Sequence, residues 1–205
     1  MDQSLAFQNI LKKYLPKEFV VYVSDLIIHS KVKFKIVAPR STKLGDFRVS
    51  SKNDGKPQIT INGDLNPYAF LITTLHELAH LNTFQSYGAR VNPHGKEWKK
   101  EFTALLEPIL NVSTLPFDIK NTLTKSIKNP KASSCSDIHL SRVLKKYDQA
   151  KITQTLEELD ENAIFSINKK VFIKGKLRRT RYLCKELVTS KSYLIHALAE
   201  VKKKK

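Results

Sequence analysis

Two histidines and a glutamate at close spacing carry the most chemistry in this 205-residue chain: His76 and His80 bracket Glu77-Leu78-Ala79. On a helix, four residues is about one turn, so both imidazoles lie on one side and can converge on a single ion at about 2.0–2.1 Å. Glu77 follows His76 directly and points slightly away from the pair. Its carboxylate can therefore reach a water beside the ion without taking a coordination position, as metal-assisted hydrolysis requires. A chance HExxH in a chain this long has a frequency on the order of one per cent. The competing explanation is two histidines satisfied by backbone or carboxylate groups.

The residues around the pair favour the metal. Between Asn66 and Phe84, Tyr68, Leu71, Ile72, Leu75, Leu78 and Ala79 share one broad apolar face, and Phe70 and Leu81 extend burial to another side. A helix this apolar belongs inside the protein, yet Thr73, His76, Glu77 and His80 fall within a sector of roughly 100°. Clustered polar groups on a buried helix need a partner, because unsatisfied ones are costly there. A cation supplies it. Catalytic zinc takes three protein ligands and leaves one position open. Position 86 is Ser86, so the nearest later histidine is His94, expected just inside a helix opened by Asn92-Pro93 and facing with the apolar stripe of Trp98, Phe102, Leu105 and Leu106. Gly95 would allow close backbone approach. Glu101, near the same face, and Glu97, less favourably turned, are the alternatives for a His-His-Glu site. Tyr68, Tyr87 and Arg90 are candidates to stabilise a developing oxyanion, and each is equally well explained by packing or exposure.

These residues need elements to hold them. Asn66-Pro67 is a helix-opening signal, with a capping residue and then proline in the first turn, for a helix running to about Tyr87-Gly88. Upstream, Val32–Val37, Leu44–Val49 and Gln58–Asn62 read as strands, the third reached through the Asn53-Asp54-Gly55 turn signal. If Gln58–Asn62 borders the cleft, it aligns an extended substrate by main-chain pairing. Helices are expected around Ile119–Ile127 and Ile138–Tyr147, with Asn129-Pro130 and Ser133-Ser134 as breakers between them. From Ala163 onward, short β-like runs separated by Gly175 and polar turns predict a small β appendage, and Lys202–Lys205 a frayed tail. The expected division is 1–128, a helical connector at 129–155, and a basic β domain at 156–205.

Composition bounds the rest. Hydrophobic residues make up 41% and charged residues 27%, enough to bury a core. No apolar run reaches the roughly 20 residues of a membrane span. The N-terminal stretch MDQSLAFQNILKKYLPKEF lacks a signal-peptide pattern and reads as an amphipathic helix using Leu5, Ile10, Leu11 and Leu15. Two cysteines, Cys135 and Cys184, make no disulfide framework, so a cytoplasmic location is expected, with no membrane association. The net charge is +17, of which residues 121–205 carry +12. A basic half calls for an acidic partner, with nucleic acid the obvious candidate; the alternative is a lysine-rich composition without one. Lys169, Lys170, Lys174, Lys176, Arg178, Arg179 and Arg181 interleave with Phe172 and Tyr182, as surfaces that clamp phosphates and stack bases do. A strand pair with apolar residues inward and lysines outward explains the same pattern.

The HELAHL stretch at His76–Leu81 and the PHGKEW stretch at Pro93–Trp98 together resemble the SprT-like metallopeptidases, as do KLGDFR around Gly45 and ITINGDLNP at Ile59–Pro67. The likeness spans roughly residues 1–110. It implies an α+β, zincin-like domain with a small mixed sheet and the HExxH helix, with His76, His80 and His94 holding one Zn2+ and Glu77 as catalytic acid/base. Related proteases of the Spartan type cut proteins crosslinked to DNA when bound to DNA, so the resemblance also implies a protein substrate and association with DNA. Many SprT-like proteins end in a four-cysteine zinc ribbon. Here Cys135, His139, Cys184 and His196 could in principle make a second metal site, but their spacing fits no ribbon, so the appendage is expected to resemble a zinc ribbon without its metal. The rival reading is a nucleic-acid-binding protein whose metal site is structural or weakly active.

Overall fold

The computed structural model describes residues 3–40, 42–49, 56–128, 137–149 and 154–204, and the chain divides into two units, 1–149 and 150–205. In the first unit, α1 (Gln3–Leu11) and α2 (Val20–Ser30) precede strands β1 (Lys33–Val37), β2 (Gly45–Arg48) and β3 (Gln58–Asn62). Four helices follow: α3 (Pro67–Tyr87), α4 (Lys96–Leu110), α5 (Phe117–Lys128) and α6 (Ile138–Lys145). The Asn53–Gly55 turn signal and the breakers Asn129-Pro130 and Ser133-Ser134 lie outside the described residues. The amphipathic reading of the N-terminus holds for Leu11 and Leu15, both buried, but Leu5 and Ile10 are about half exposed. Helix α1 stops at Leu11, and Leu15 reaches the core from the turn beyond it.

The sheet has the order β1-β3-β2, with β3 parallel to β1 and antiparallel to β2. Both edges of β3 are therefore taken, and the expectation that Gln58–Asn62 pairs with a substrate fails for that reason. Ile59 and Ile61 are fully buried on one face of β3. Arg40 covers the other side: its Nε donates to Asn62 Oδ1 at 2.8 Å and its Nη1 to Thr60 Oγ1 at 2.9 Å. Asn62 in turn donates from Nδ2 to the backbone oxygens of Arg40 and Lys43, at 3.1 and 3.0 Å. The segment leading into β2 is thereby fastened to the sheet.

Helix α3 starts where the capping signal predicts. Asn66 Oδ1 accepts the Ala69 N–H at 2.9 Å, and Pro67, which has no N–H to leave unpaired, occupies the first turn. The helix is buried nearly all round, with Phe70, Leu71, Leu75 and Leu81 at zero exposure. Each such side chain stabilises the fold by about 1.5–3 kcal/mol relative to an exposed one. Asn66 also donates to Leu144 O (2.9 Å) and Asp148 Oδ1 (2.7 Å), tying the segment around α6 to the start of α3. Leu140 of α6, which the sequence placed in a connector, lies in the same core.

Helix α4 begins at Lys96 rather than at Asn92-Pro93. The Gly95 N–H donates to Asn92 O at 2.9 Å and closes a turn in which His94 is left-handed, at φ 60°. A residue in that conformation cannot sit inside a right-handed helix. The buried stripe of Trp98, Phe102, Leu105 and Leu106 is as expected, and Ile109 extends it.

The second unit is a β structure of seven short strands: β4 (Gln154–Thr155), β5 (Ile164–Ile167), β6 (Lys170–Ile173), β7 (Leu177–Arg178), β8 (Arg181–Glu186), β9 (Ser192–His196) and β10 (Glu200–Lys203). They pair in the order β4-β10-β5-β6-β8-β7, with β9 also on β8, around Leu156, Leu159, Phe165, Phe172, Cys184 and Val201. Strand β10 pairs with both β4 and β5, so Lys202 and Lys203 belong to the sheet and not to a frayed tail. Together the two units make a mixed α+β chain. No helix among the described residues is long and apolar enough to cross a membrane.

Candidate metal centre

His76 and His80 project from one side of α3, one turn apart, and the left-handed turn before α4 brings His94 to meet them. The three Nε2 atoms form a nearly equilateral triangle: 3.1 Å between His76 and His80, and 3.0 Å from His94 to each. Three nitrogens on a tetrahedral ion at about 2.0–2.1 Å stand roughly 3.3 Å apart, close to this triangle. Three neutral imidazoles cannot satisfy such a contact by themselves, since a shared proton serves one pair and leaves lone pairs facing each other. An imidazolium is also disfavoured. Burial, then His80 and His94, push His76 down to about 3; burial and His94 take His80 to about 4; burial lowers His94. A divalent cation fits this donor set. Among the described residues, these three histidines are the His, Cys, Asp or Glu group so placed that it could hold a metal ion. Neither Glu97 nor Glu101 belongs to it, and His94 is the candidate of the three that the fold brings to the pair. His94 reaches the site from the turn and not, as expected, from inside the helix.

Glu77 is buried on the same helix face. Desolvation, then the nearby Asp46, raise its carboxyl to about 7, against the lowering effect of the Phe47 backbone N–H, Arg40 and Lys43. Strand β2 packs over it. A Cβ added at Gly45 would lie 2.6 Å from Glu77 Oε1 and 2.7 Å from Thr73 Cγ2, so only glycine fits there without displacing the carboxylate. Phe47 also runs nearly parallel to the His80 ring, at 6.4 Å. The part played by β2 is invisible in a linear reading, because it depends on which strand forms the sheet edge. The one local signal is the lone Gly45 in a strand pattern.

The centre opens into a cleft of about 680 Å³. One wall is Thr42–Phe47, another is Thr83, Phe84, Gly88, Ala89 and Val91–Pro93, and His76, Glu77, His80 and Trp98 lie between. Tyr68, Tyr87 and Arg90, the oxyanion candidates, do not line it; Tyr68 packs edge-on against Tyr147 at 4.8 Å instead. Three histidine nitrogens facing an open cleft would leave a position free on an ion held there, whereas a structural ion is closed by a fourth protein ligand.

In the second unit the basic candidates separate. Lys176, Arg178, Arg179 and Arg181 are exposed at and around the β7–β8 turn. Lys169 sits in the β5–β6 turn at φ 66°, and Lys170 pairs with Glu186 at 3.2 Å. Lys174 is not a surface residue. Its Nζ donates to the backbone oxygens of Leu159 and Glu157 and lies 4.2 Å from the Tyr182 ring centroid. Phe172 is buried and stacks on Phe165, so it offers no platform for a base. Cys184 is buried, His139 and His196 are exposed, and Cys135 lies outside the described residues.

Residues 28–115 match the SprT-like family. Protein SprT of Vibrio parahaemolyticus serotype O3:K6 (strain RIMD 2210633) is 43% identical over 76 residues, 33% of this chain and 43% of that protein. Protein SprT of Proteus mirabilis (strain HI4320) is 45% identical over 67 residues, 31% of this chain and 36% of that protein. The chain thus spans less than half the length of these relatives. No solved structure matches it.

Proposed function

We propose, from the match of residues 28–115 to the SprT-like family, that the chain is a zinc-dependent metallopeptidase that hydrolyses peptide bonds in protein substrates. One observation carries the reading: three Nε2 atoms within 3.1 Å of one another beside a buried carboxylate. His76, His80 and His94 hold the zinc. The ion, when bound, acidifies water and polarises the scissile carbonyl. Glu77 accepts the proton of the attacking water and returns it to the leaving amine, and the Phe47 N–H keeps its carboxylate oriented. Strand β2, the sheet edge that lines the cleft, aligns the substrate backbone. In this reading the first unit is zincin-like. The second is a metal-free counterpart of a zinc ribbon, in which Lys174, just after β6, is tied to the turn at Leu156–Leu159.

The exposed arginines at the β7–β8 turn support a role for the second unit in contacting DNA, and hence DNA-associated or DNA-crosslinked proteins as substrates. The test of the peptidase reading is cleavage of an unfolded protein by the zinc-loaded chain, with and without single-stranded DNA. Glu77→Gln is expected to keep its zinc and lose about 10²–10⁴-fold in turnover. A zinc-loaded Glu77→Gln variant as active as the wild type would overturn the assignment.

A further inference from the structure

Trp98 is the side chain on which all three metal-binding rings rest. Its ring centroid lies 4.7 Å from that of His76, 4.8 Å from His94 and 5.4 Å from His80. The three contacts differ in tilt, at 56°, 86° and 39°, so one indole meets three imidazoles that face three directions. Phe102 stacks behind it at 4.8 Å and 17°, one turn further along α4. The indole is almost fully buried, at 1% exposure.

We propose that Trp98 is a positioning residue of the metal centre, setting the angles at which His76, His80 and His94 present their Nε2 atoms. The proposal rests on the zinc reading above. Metal-binding imidazoles are commonly oriented by a hydrogen bond from the outer ring nitrogen to a carboxylate or carbonyl. Ring packing acts here as well, through contacts that one indole makes with all three imidazoles at once. The indole N–H points to the same conclusion. It is buried and meets no acceptor among the described residues, and leaving such a donor unpaired is unfavourable. A phenyl ring would avoid that penalty, so the indole acts here through its two-ring area rather than as a hydrogen-bond donor. A benzene ring has too little area to meet all three ligands, and an aliphatic side chain has no flat face to set their angles.

The chain contains one tryptophan, so its emission reports on this centre alone. The experiment uses the full chain, stripped of metal, as wild type, Trp98→Phe and Trp98→Leu. Zn2+ affinity is measured by competition with a chromophoric chelator, the ligand field by the visible bands of Co2+, and folding by circular dichroism of the metal-free forms. Wild-type emission is expected to be quenched by one equivalent of Co2+. Trp98→Leu is expected to bind Zn2+ about 10–100-fold more weakly and to shift the Co2+ bands, with Trp98→Phe intermediate in both. A folded Trp98→Leu variant with wild-type affinity and an unchanged Co2+ spectrum overturns the proposal, even if its metal-free form melts earlier. Should Trp98→Leu not fold, Trp98→Phe decides: shifted Co2+ bands support the proposal and unchanged bands overturn it. A wild type that takes up neither ion removes the metal centre and this proposal together, whereas a loaded wild type with indifferent variants removes this proposal alone.

Discussion

Gly45→Ala separates the two duties of the site at the level of one methyl group. The new Cβ would fall 2.6 Å from Glu77 Oε1 and 2.8 Å from Glu77 Cγ, closer than such atoms approach. The carboxylate must swing away or β2 must lift, at a cost of about 1–3 kcal/mol for overpacking. The three atoms nearest the new Cβ belong to Glu77 and Thr73, and to none of the three histidines. Zinc content is therefore expected to stay at the wild-type level while peptide turnover falls at least tenfold, checked by metal analysis and rate on the same preparation. A variant deficient in both would place Gly45 in the metal site rather than over the acid/base. His94 is the counterpart case in which backbone conformation does the positioning. Its left-handed φ of 60° turns the ring toward α3, and the Gly95 N–H bond to Asn92 O holds the turn closed.

At the level of elements, Asn66 joins helix initiation to tertiary structure, since it caps α3 and also donates to Leu144 O and Asp148 Oδ1. Asn66→Ala is expected to destabilise the first unit by about 2–3 kcal/mol, combining removal of the cap with removal of two partly buried hydrogen bonds. Denaturant unfolding reads that directly, and a change under about 0.5 kcal/mol would mean that Pro67 and burial alone start the helix. The sequence made this element legible because its signals are local: a cap, a proline, an apolar surround and HELAH within twenty-odd residues. The strands around Phe34, Phe47 and Ile59 were legible for the same reason. Helix α2 was not, because VVYVSDLIIHS is rich in β-branched residues and has no side-chain cap; burial of Val20, Val23 and Ile27 against the core overrides that preference. Which strand forms the sheet edge and where α4 begins both depend on contacts between segments distant in sequence. For that reason Gln58–Asn62 was misassigned as the substrate strand and His94 was placed inside the helix.

At the scale of the whole molecule, two units have separate cores, with the histidine centre in 1–149 and the densest exposed basic residues in 150–205. Replacing Arg178, Arg179 and Arg181 together by alanine is expected to flatten the slope of log binding constant against log salt for single-stranded DNA, by up to about 0.7 for each phosphate no longer neutralised. Zinc uptake should be unchanged. An unaltered slope would remove these arginines from any nucleic-acid surface and leave the peptidase reading intact. The central claim is the convergence of three imidazoles from two chain segments on one ion, and X-ray absorption at the zinc edge addresses it most directly. The account predicts one zinc per chain, with three imidazole nitrogens at about 2.0–2.1 Å and one oxygen donor. A sulfur ligand, four protein donors, or no bound zinc after loading would contradict it.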